Sequence, residues 1–127
     1  MNQPKCVENI MKYSSATHAL SVNPATGETL AAYPWATAEE VDRAIAQSDA
    51  GYRQWRRESV SHRAQKLLDL GAALRNRAEE MAQTISREMG KPILQARAEV
   101  AKSAALCDWY AGHGPAMLRA EPTLVEN

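Results

Sequence analysis

The sequence predicts an α+β fold in which an N-terminal β-hairpin is followed by three or four helices. Two observations predict it. Residues 18–34 alternate between apolar and polar side chains on both sides of a turn, and residues 37–111 carry apolar side chains at spacings of three and four. A chain of 127 residues is long enough for one domain of ordinary size and too short for two. This length excludes a complete large two-domain enzyme.

The hairpin is the first predicted element. We expect residues 1–17 to form a loose N-terminal tail because they show no clear periodicity. Two strands follow at 18–22 and 29–33, and between them Pro24 presets a turn while Gly27 accepts a positive φ. A two-stranded hairpin is marginal in water, so the pair implies further sheet that this chain does not contain.

The first helix is predicted to begin at a capping box and to end near Arg57. The hydroxyl of Thr37 and the carboxylate of Glu40 would each bind an unpaired backbone amide. The apolar residues that follow form one stripe, and most charged residues lie off it. The stripe consists of Val41, Ala44, Ile45, Ser48, Tyr52 and Trp55.

A second helical run begins at Ser59 or Ser61 and ends at Gly90, a typical C-terminal stop. The run is longer than the roughly 20 residues that a globular helix usually reaches, so we expect a break near Gly71 or Asn76.

The last predicted helix begins at Ile93 and ends near Gly112 or Gly114 and Pro115. Beyond it, residues 123–125 could begin a strand.

Charge and composition narrow the class of protein. Fifteen basic residues balance fifteen acidic ones, so we expect no nucleic-acid partner and no membrane-surface partner. No stretch approaches the roughly 18 apolar residues of a spanning helix, and no signal peptide is evident. The two cysteines, Cys6 and Cys107, are interpreted as free thiols in a reducing cytoplasm.

No set of residues in this sequence predicts catalysis by the chain alone. Cys107 lies on the apolar stripe of the last helix, where a buried cysteine usually behaves as a small hydrophobe. The histidines, His18, His62 and His113, fall one to an element. The sequence contains no GxGxxG, no P-loop and no zinc-ligand spacing. The basic patch of Arg53, Arg56, Arg57 and Arg63 is interpreted as a solvated helix face with salt bridges.

Five short motifs in order resemble the aldehyde dehydrogenase superfamily. They are NPATGE at 23–28, RAQKLL at 63–68, REMGKP at 87–92, AEV at 98–100 and DWYAG at 108–112. Residues 96–127 most closely resemble bacterial NAD(P)-dependent succinate-semialdehyde dehydrogenases. The resemblance implies that residues 18–127 are the N-terminal part of the family's α/β coenzyme-binding domain, truncated, and that residues 1–10 are an upstream extension.

The mechanism of the family implies which catalytic and cofactor-binding residues to look for in this chain. In such enzymes a cysteine thiolate attacks the aldehyde, hydride passes to NAD or NADP, and a glutamate-activated water hydrolyses the thioester. The catalytic cysteine and glutamate lie beyond the point equivalent to Asn127, so no catalytic or cofactor-binding residue carries over. We expect no cofactor to bind this chain alone. The implied partner is the remainder of a subunit from a homo-oligomeric enzyme.

The resemblance implies two binding sites in this chain, one for a monovalent cation and one for the aldehyde substrate. Some family members hold a monovalent cation through a backbone carbonyl matching Val22 and a carboxylate matching Glu88, with a third ligand downstream. Hard cations prefer such oxygen ligands. The helix before Trp109 contributes to the aldehyde tunnel in relatives, and counting back two turns points to Lys102. A cation there would suit an acidic aldehyde such as succinate semialdehyde, and a plain surface lysine is the alternative.

The leading hypothesis is therefore an inactive N-terminal fragment of an aldehyde dehydrogenase. One alternative is a non-catalytic helical interaction module that folds cooperatively by itself. A third reading is an inhibitor that inserts into full-length subunits.

Overall fold

The computed structural model describes residues 16–121, which contain a hairpin followed by four helices. The elements are β1 (His18–Val22), β2 (Thr29–Pro34), α1 (Ala38–Trp55), α2 (Val60–Asn76), α3 (Ala78–Met89) and α4 (Ile93–Met117). The predicted α+β order is confirmed. The expected strand at 123–125 and nearly all of the expected tail lie outside the described residues.

The two strands pair antiparallel, from His18 opposite Pro34 to Val22 opposite Thr29. The turn forms as its residue types predict. The side-chain oxygen of Asn23 accepts a hydrogen bond from the Ala25 amide at 2.9 Å, and Gly27 has a φ of +73°. The two-stranded sheet leaves β-strand edges unpaired among the described residues, as the sequence predicts.

Helix α1 begins at the predicted capping box. The Thr37 hydroxyl accepts from the Glu40 amide at 3.2 Å, and the Glu40 carboxylate accepts from the Thr37 amide at 2.8 Å. The helix ends at Trp55, two residues before the predicted limit. None of the eighteen residues of α1 is buried, so its apolar stripe contributes nothing to the core of the described part.

The long helical run divides where a break was expected. Ser59 caps α2 by accepting from the His62 amide at 3.1 Å, and Arg77, with φ −112° and ψ 17°, separates α2 from α3. The break follows Asn76, whereas Gly71 lies inside α2. Helix α3 ends at Gly90, whose φ of +67° is the left-handed conformation that glycine adopts most readily.

Helix α4 continues through Pro115 to Met117, beyond its expected end. Proline lacks the amide that would bind the carbonyl four residues earlier, which is why an end was expected there. The Leu118 amide nevertheless donates to the Gly114 carbonyl at 3.0 Å. A proline removes only its own amide hydrogen bond, so the helical pattern continues through the amides that follow Pro115.

Helix α4 packs against both α2 and α3, and the contact is built from small residues. The buried hydrophobic residues of the described part are Ala82, Ala96, Val100, Ala104 and Ala111, and none of its large side chains is fully buried. Gly71 of α2 is also buried; a Cβ there would lie 3.2 Å from the carbonyl oxygen of Ala104. Small residues let helix backbones approach closely, but each buries little apolar area. The apolar core between the helices is therefore small.

Candidate functional site

The residues of the expected cation site lie at one contact between the hairpin and α3. The Ser21 hydroxyl donates to the Glu88 carboxylate at 2.6 Å, across 67 positions of sequence. Val22 follows Ser21 directly and ends β1. The turn also rests on the end of α3, since a Cβ on Gly90 would lie 3.0 Å from Cγ of Pro24. The structure therefore places Val22 and Glu88 in the same region.

The donor set at this contact is oxygen-only, as a hard monovalent cation requires. It comprises the Glu88 carboxylate and the Ser21 hydroxyl, which are hydrogen-bonded to each other. Across residues 16–121 no group of three or more histidine, cysteine and acidic side chains could hold a metal ion. What the described residues show at this contact is the hydrogen bond between the Ser21 hydroxyl and the Glu88 carboxylate.

Lys102 lies on α4 with its side chain exposed. Two nearby cations are paired: Arg97 of α4 with Glu79, and Lys91, which precedes α4, with Glu99. No ion pair involves Lys102 within the described part of the chain. Its ammonium group is available to an anion that approaches α4.

Cys107 and the three histidines are not brought together. Cys107 is half-buried on α4 and faces Gly71 of α2. The His18 ring lies 2.9 Å from the Thr17 hydroxyl. The His113 ring stacks on Trp109, with ring centroids 4.5 Å apart, and lies 2.8 Å from the Trp109 carbonyl oxygen.

Interhelical ion pairs hold α4 to its neighbours. Arg97 of α4 donates two hydrogen bonds of 2.8 Å to the carboxylate of Glu79 on α3. This fork, with a further bond from the Gln83 amide, lowers the pKa of Glu79 to about 2. Arg75 of α2 pairs with Asp108 of α4. These pairs position α2 and α3 against α4.

An apolar groove between α2 and α4 is a feature that sequence reasoning missed. Its volume is about 580 Å³, and Val60, Leu67, Leu70, Leu106 and Cys107 are among its lining residues. Arg63 also lines it.

Within the described residues, Arg53 is the one arginine of the basic patch that forms the expected salt bridge, and the expected solvation does not hold for Arg63. Arg53 pairs with Asp49 at 2.9 Å, and Arg56 lies over the Tyr52 ring at 5.7 Å. Arg63 is instead half-buried, and it has no side-chain partner within residues 16–121. The signal was present in the sequence, because Arg63 is three residues after Val60 and four before Leu67, on the apolar stripe.

Among the described residues no helix is long and apolar enough to cross a bilayer.

Comparison with known proteins gives consistent results. The model of the aldehyde dehydrogenase family matches residues 11–124. The chain is 65% identical over 117 residues to the succinate semialdehyde dehydrogenase (NAD(P)+) of Escherichia coli strain K12, covering 92% of this chain and 25% of that protein. It is 35% identical over 98 residues to the succinate-semialdehyde dehydrogenase (NADP+) of Deinococcus radiodurans, covering 77% of this chain and 20% of that protein.

A solved structure supports the fold. The crystal structure of succinic semialdehyde dehydrogenase from Streptococcus pyogenes, in complex with NADP+, superposes with a TM-score of 0.79 at 24% identity. The superposed region is 84% of this chain and 24% of the Streptococcus pyogenes chain. The protein thus spans about a quarter of the length of the relatives it matches. The family match over residues 11–124 shows that this chain belongs to the aldehyde dehydrogenase family.

Proposed function

We propose that this chain is the N-terminal structural part of an NAD(P)-dependent aldehyde dehydrogenase that oxidises succinate semialdehyde, or a similar aldehyde, to the acid. The observation that carries the proposal is the 65% identity over 92% of the chain to the E. coli enzyme. The chain by itself has no turnover. Its one described thiol, Cys107, lies in a helix beside an apolar groove, with no histidine placed against it.

In the assembled subunit the role of these helices is to support the parts that bind coenzyme. NAD or NADP is held by the rest of the subunit, which works in the cytoplasm as a homo-oligomer. The outer edges of the two-stranded hairpin and the unburied stripe of α1 support this role, because both leave surface that a larger fold would cover.

Complementation tests the proposed function. The 127-residue chain is mixed or co-expressed with the part of the E. coli enzyme outside the matched quarter, and NAD(P)H formation is followed with succinate semialdehyde. We expect turnover from the mixture and none from either part alone. Turnover by the isolated chain, or a folded mixture that stays inactive with a panel of aldehydes, would contradict the proposal.

Lys102 is proposed to attract the carboxylate of the acidic aldehyde. Its exposed ammonium group, without a partner in residues 16–121, supports this role. In the complemented enzyme, Lys102→Gln should raise KM for succinate semialdehyde about tenfold and leave KM for an uncharged aldehyde unchanged. Equal effects on the two substrates would identify Lys102 as an ordinary surface lysine.

Val22 and Glu88 are proposed to give two oxygen ligands to a monovalent cation in the assembled subunit. The hydrogen bond from Ser21 to Glu88 supports this because it holds the carboxylate at the end of β1. We expect the complemented enzyme to gain thermal stability on addition of K+ or Na+, and Glu88→Gln to abolish that gain. A gain that survives Glu88→Gln would exclude the site.

A further inference from the structure

The groove between α2 and α4 presents a large apolar surface to solvent. Side chains on its walls remain well exposed in the described chain: Leu70 by 49%, Leu106 by 46% and Leu118 by 67%. Withdrawing apolar surface from water is favourable, so an occupant that covers these side chains would be stabilised by the hydrophobic effect.

One polar group on the groove wall restricts what can fill it. Arg63 is half-buried, always charged, and unpaired within residues 16–121. The neighbouring cation Lys66 differs, since Asp69 accepts its hydrogen bond at 3.4 Å. Covering the groove would withdraw the Arg63 guanidinium from water, and a buried charge requires a partner of opposite sign. The occupant must therefore combine apolar surface with a carboxylate.

We propose that the groove receives a polypeptide segment from the remainder of the aldehyde dehydrogenase subunit, whose aliphatic side chains fill the groove and whose carboxylate pairs with Arg63. This inference rests on the proposed function. Two features favour a polypeptide as the occupant. The groove runs from Leu106 to Leu118, which at 1.5 Å per residue is about 18 Å of helix, the length of an average strand. The relatives also contain three quarters of a subunit that this chain lacks.

The test measures access to Cys107, which lines the groove and is half-buried. The full chain carries Cys6→Ser, so that Cys107 is its one remaining thiol. Modification by a soluble thiol reagent is followed by the mass of this chain, with and without the part of the E. coli enzyme outside the matched quarter. We expect that part to slow modification of Cys107 at least tenfold at saturation.

Matched arginine variants separate the Arg63 contact from general charge. Arg63→Gln should weaken the apparent Kd for protection about tenfold or more, as expected for loss of a charge-assisted hydrogen bond. Arg57→Gln is the control, because Arg57 is exposed and does not line the groove; its Kd should change less than twofold. Leu70→Lys, on the groove wall, should also weaken protection. Circular dichroism of each variant verifies that helix content is retained.

Several outcomes would overturn the inference. They are unchanged modification of Cys107, equal effects of Arg63→Gln and Arg57→Gln, protection that grows with the concentration of this chain alone, and equal protection by octanoate alone. The last two would identify a second copy or a small carboxylic acid as the occupant. Aldehyde turnover in the same mixtures reports separately on the proposed function. Turnover without protection of Cys107 overturns the groove inference alone, and protection without turnover supports it while counting against the proposed function.

Discussion

Gly71 shows how one residue sets the distance between two helices. A Cβ there would lie 3.0 Å from a carboxylate oxygen of Asp108, 3.2 Å from the Ala104 carbonyl oxygen and 3.3 Å from Cβ of Cys107. The carbonyl belongs to helix backbone and cannot turn aside. Glycine is therefore needed at this position for close approach, although it weakens the helix by about 0.5–1 kcal/mol relative to alanine.

Two glycine substitutions should have opposite effects on stability. Gly51→Ala should raise the free energy of unfolding by about 0.5–1 kcal/mol, because a Cβ there meets nothing within 4 Å. Gly71→Val should lower it by about 1–3 kcal/mol through overpacking against α4. Thermal unfolding followed by circular dichroism measures both. A stabilised Gly71→Val variant would show that α2 and α4 are free to separate.

At the scale of elements, ion pairs join helices whose shared core is small. The Arg97–Glu79 fork joins α4 to α3, and the Arg75–Asp108 pair joins α4 to α2. The pKa of Glu79 is lowered to about 2, first by Arg97 and then by Gln83. A lowered folded-state pKa means that this contribution to stability is complete above the ordinary pKa of 4.5 and is lost as the pH falls towards 2.

The ion pair between α3 and α4 should therefore contribute less to stability in acid. The Tm of the chain should fall between pH 4.5 and pH 2, and Glu79→Gln should lower Tm at pH 7 and flatten that fall. Glu80→Gln serves as the comparison, because Glu80 pairs with Arg77 three residues away and joins no second helix. Parallel Tm curves for the parent chain and Glu79→Gln over this range would rule out the fork as the cause.

At the scale of the whole molecule, the described chain buries too little to behave as an ordinary small domain. Its buried hydrophobic residues are four alanines and one valine. Large apolar side chains remain exposed on α1 and in the groove, including Ile45 by 63%. Exposed apolar surface of this extent marks an interaction site, which favours a part of a larger enzyme over a self-sufficient interaction module.

Binding of the dye ANS tests whether the isolated chain exposes this much apolar surface. The isolated chain should bind ANS at neutral pH, and Leu70→Lys should reduce ANS fluorescence by placing a charge in the groove. Addition of the complementing part of the E. coli enzyme should suppress the fluorescence further. A sharp, reversible two-state transition without ANS binding would instead support the alternative of an independent helical module.

Much of the fold was predictable because its signals are local. The capping box at Thr37, the cap at Ser59 and the left-handed Gly90 each depend on hydrogen bonds or backbone angles within a few residues. The end of α4 was not predicted, because Pro115 removes only one amide hydrogen bond and the Leu118 amide still donates to the Gly114 carbonyl beyond it.

The sequence alone determined the order of the elements, their capped ends and, through five motifs, the family. The tertiary structure decided which distant residues meet: Ser21 with Glu88, Glu79 with Arg97, and Arg63 with the wall of an apolar groove. The difference has a physical cause. Caps and turns are fixed by neighbours in the chain, whereas contacts between helices depend on how closely small residues such as Gly71 and Ala104 let two backbones approach.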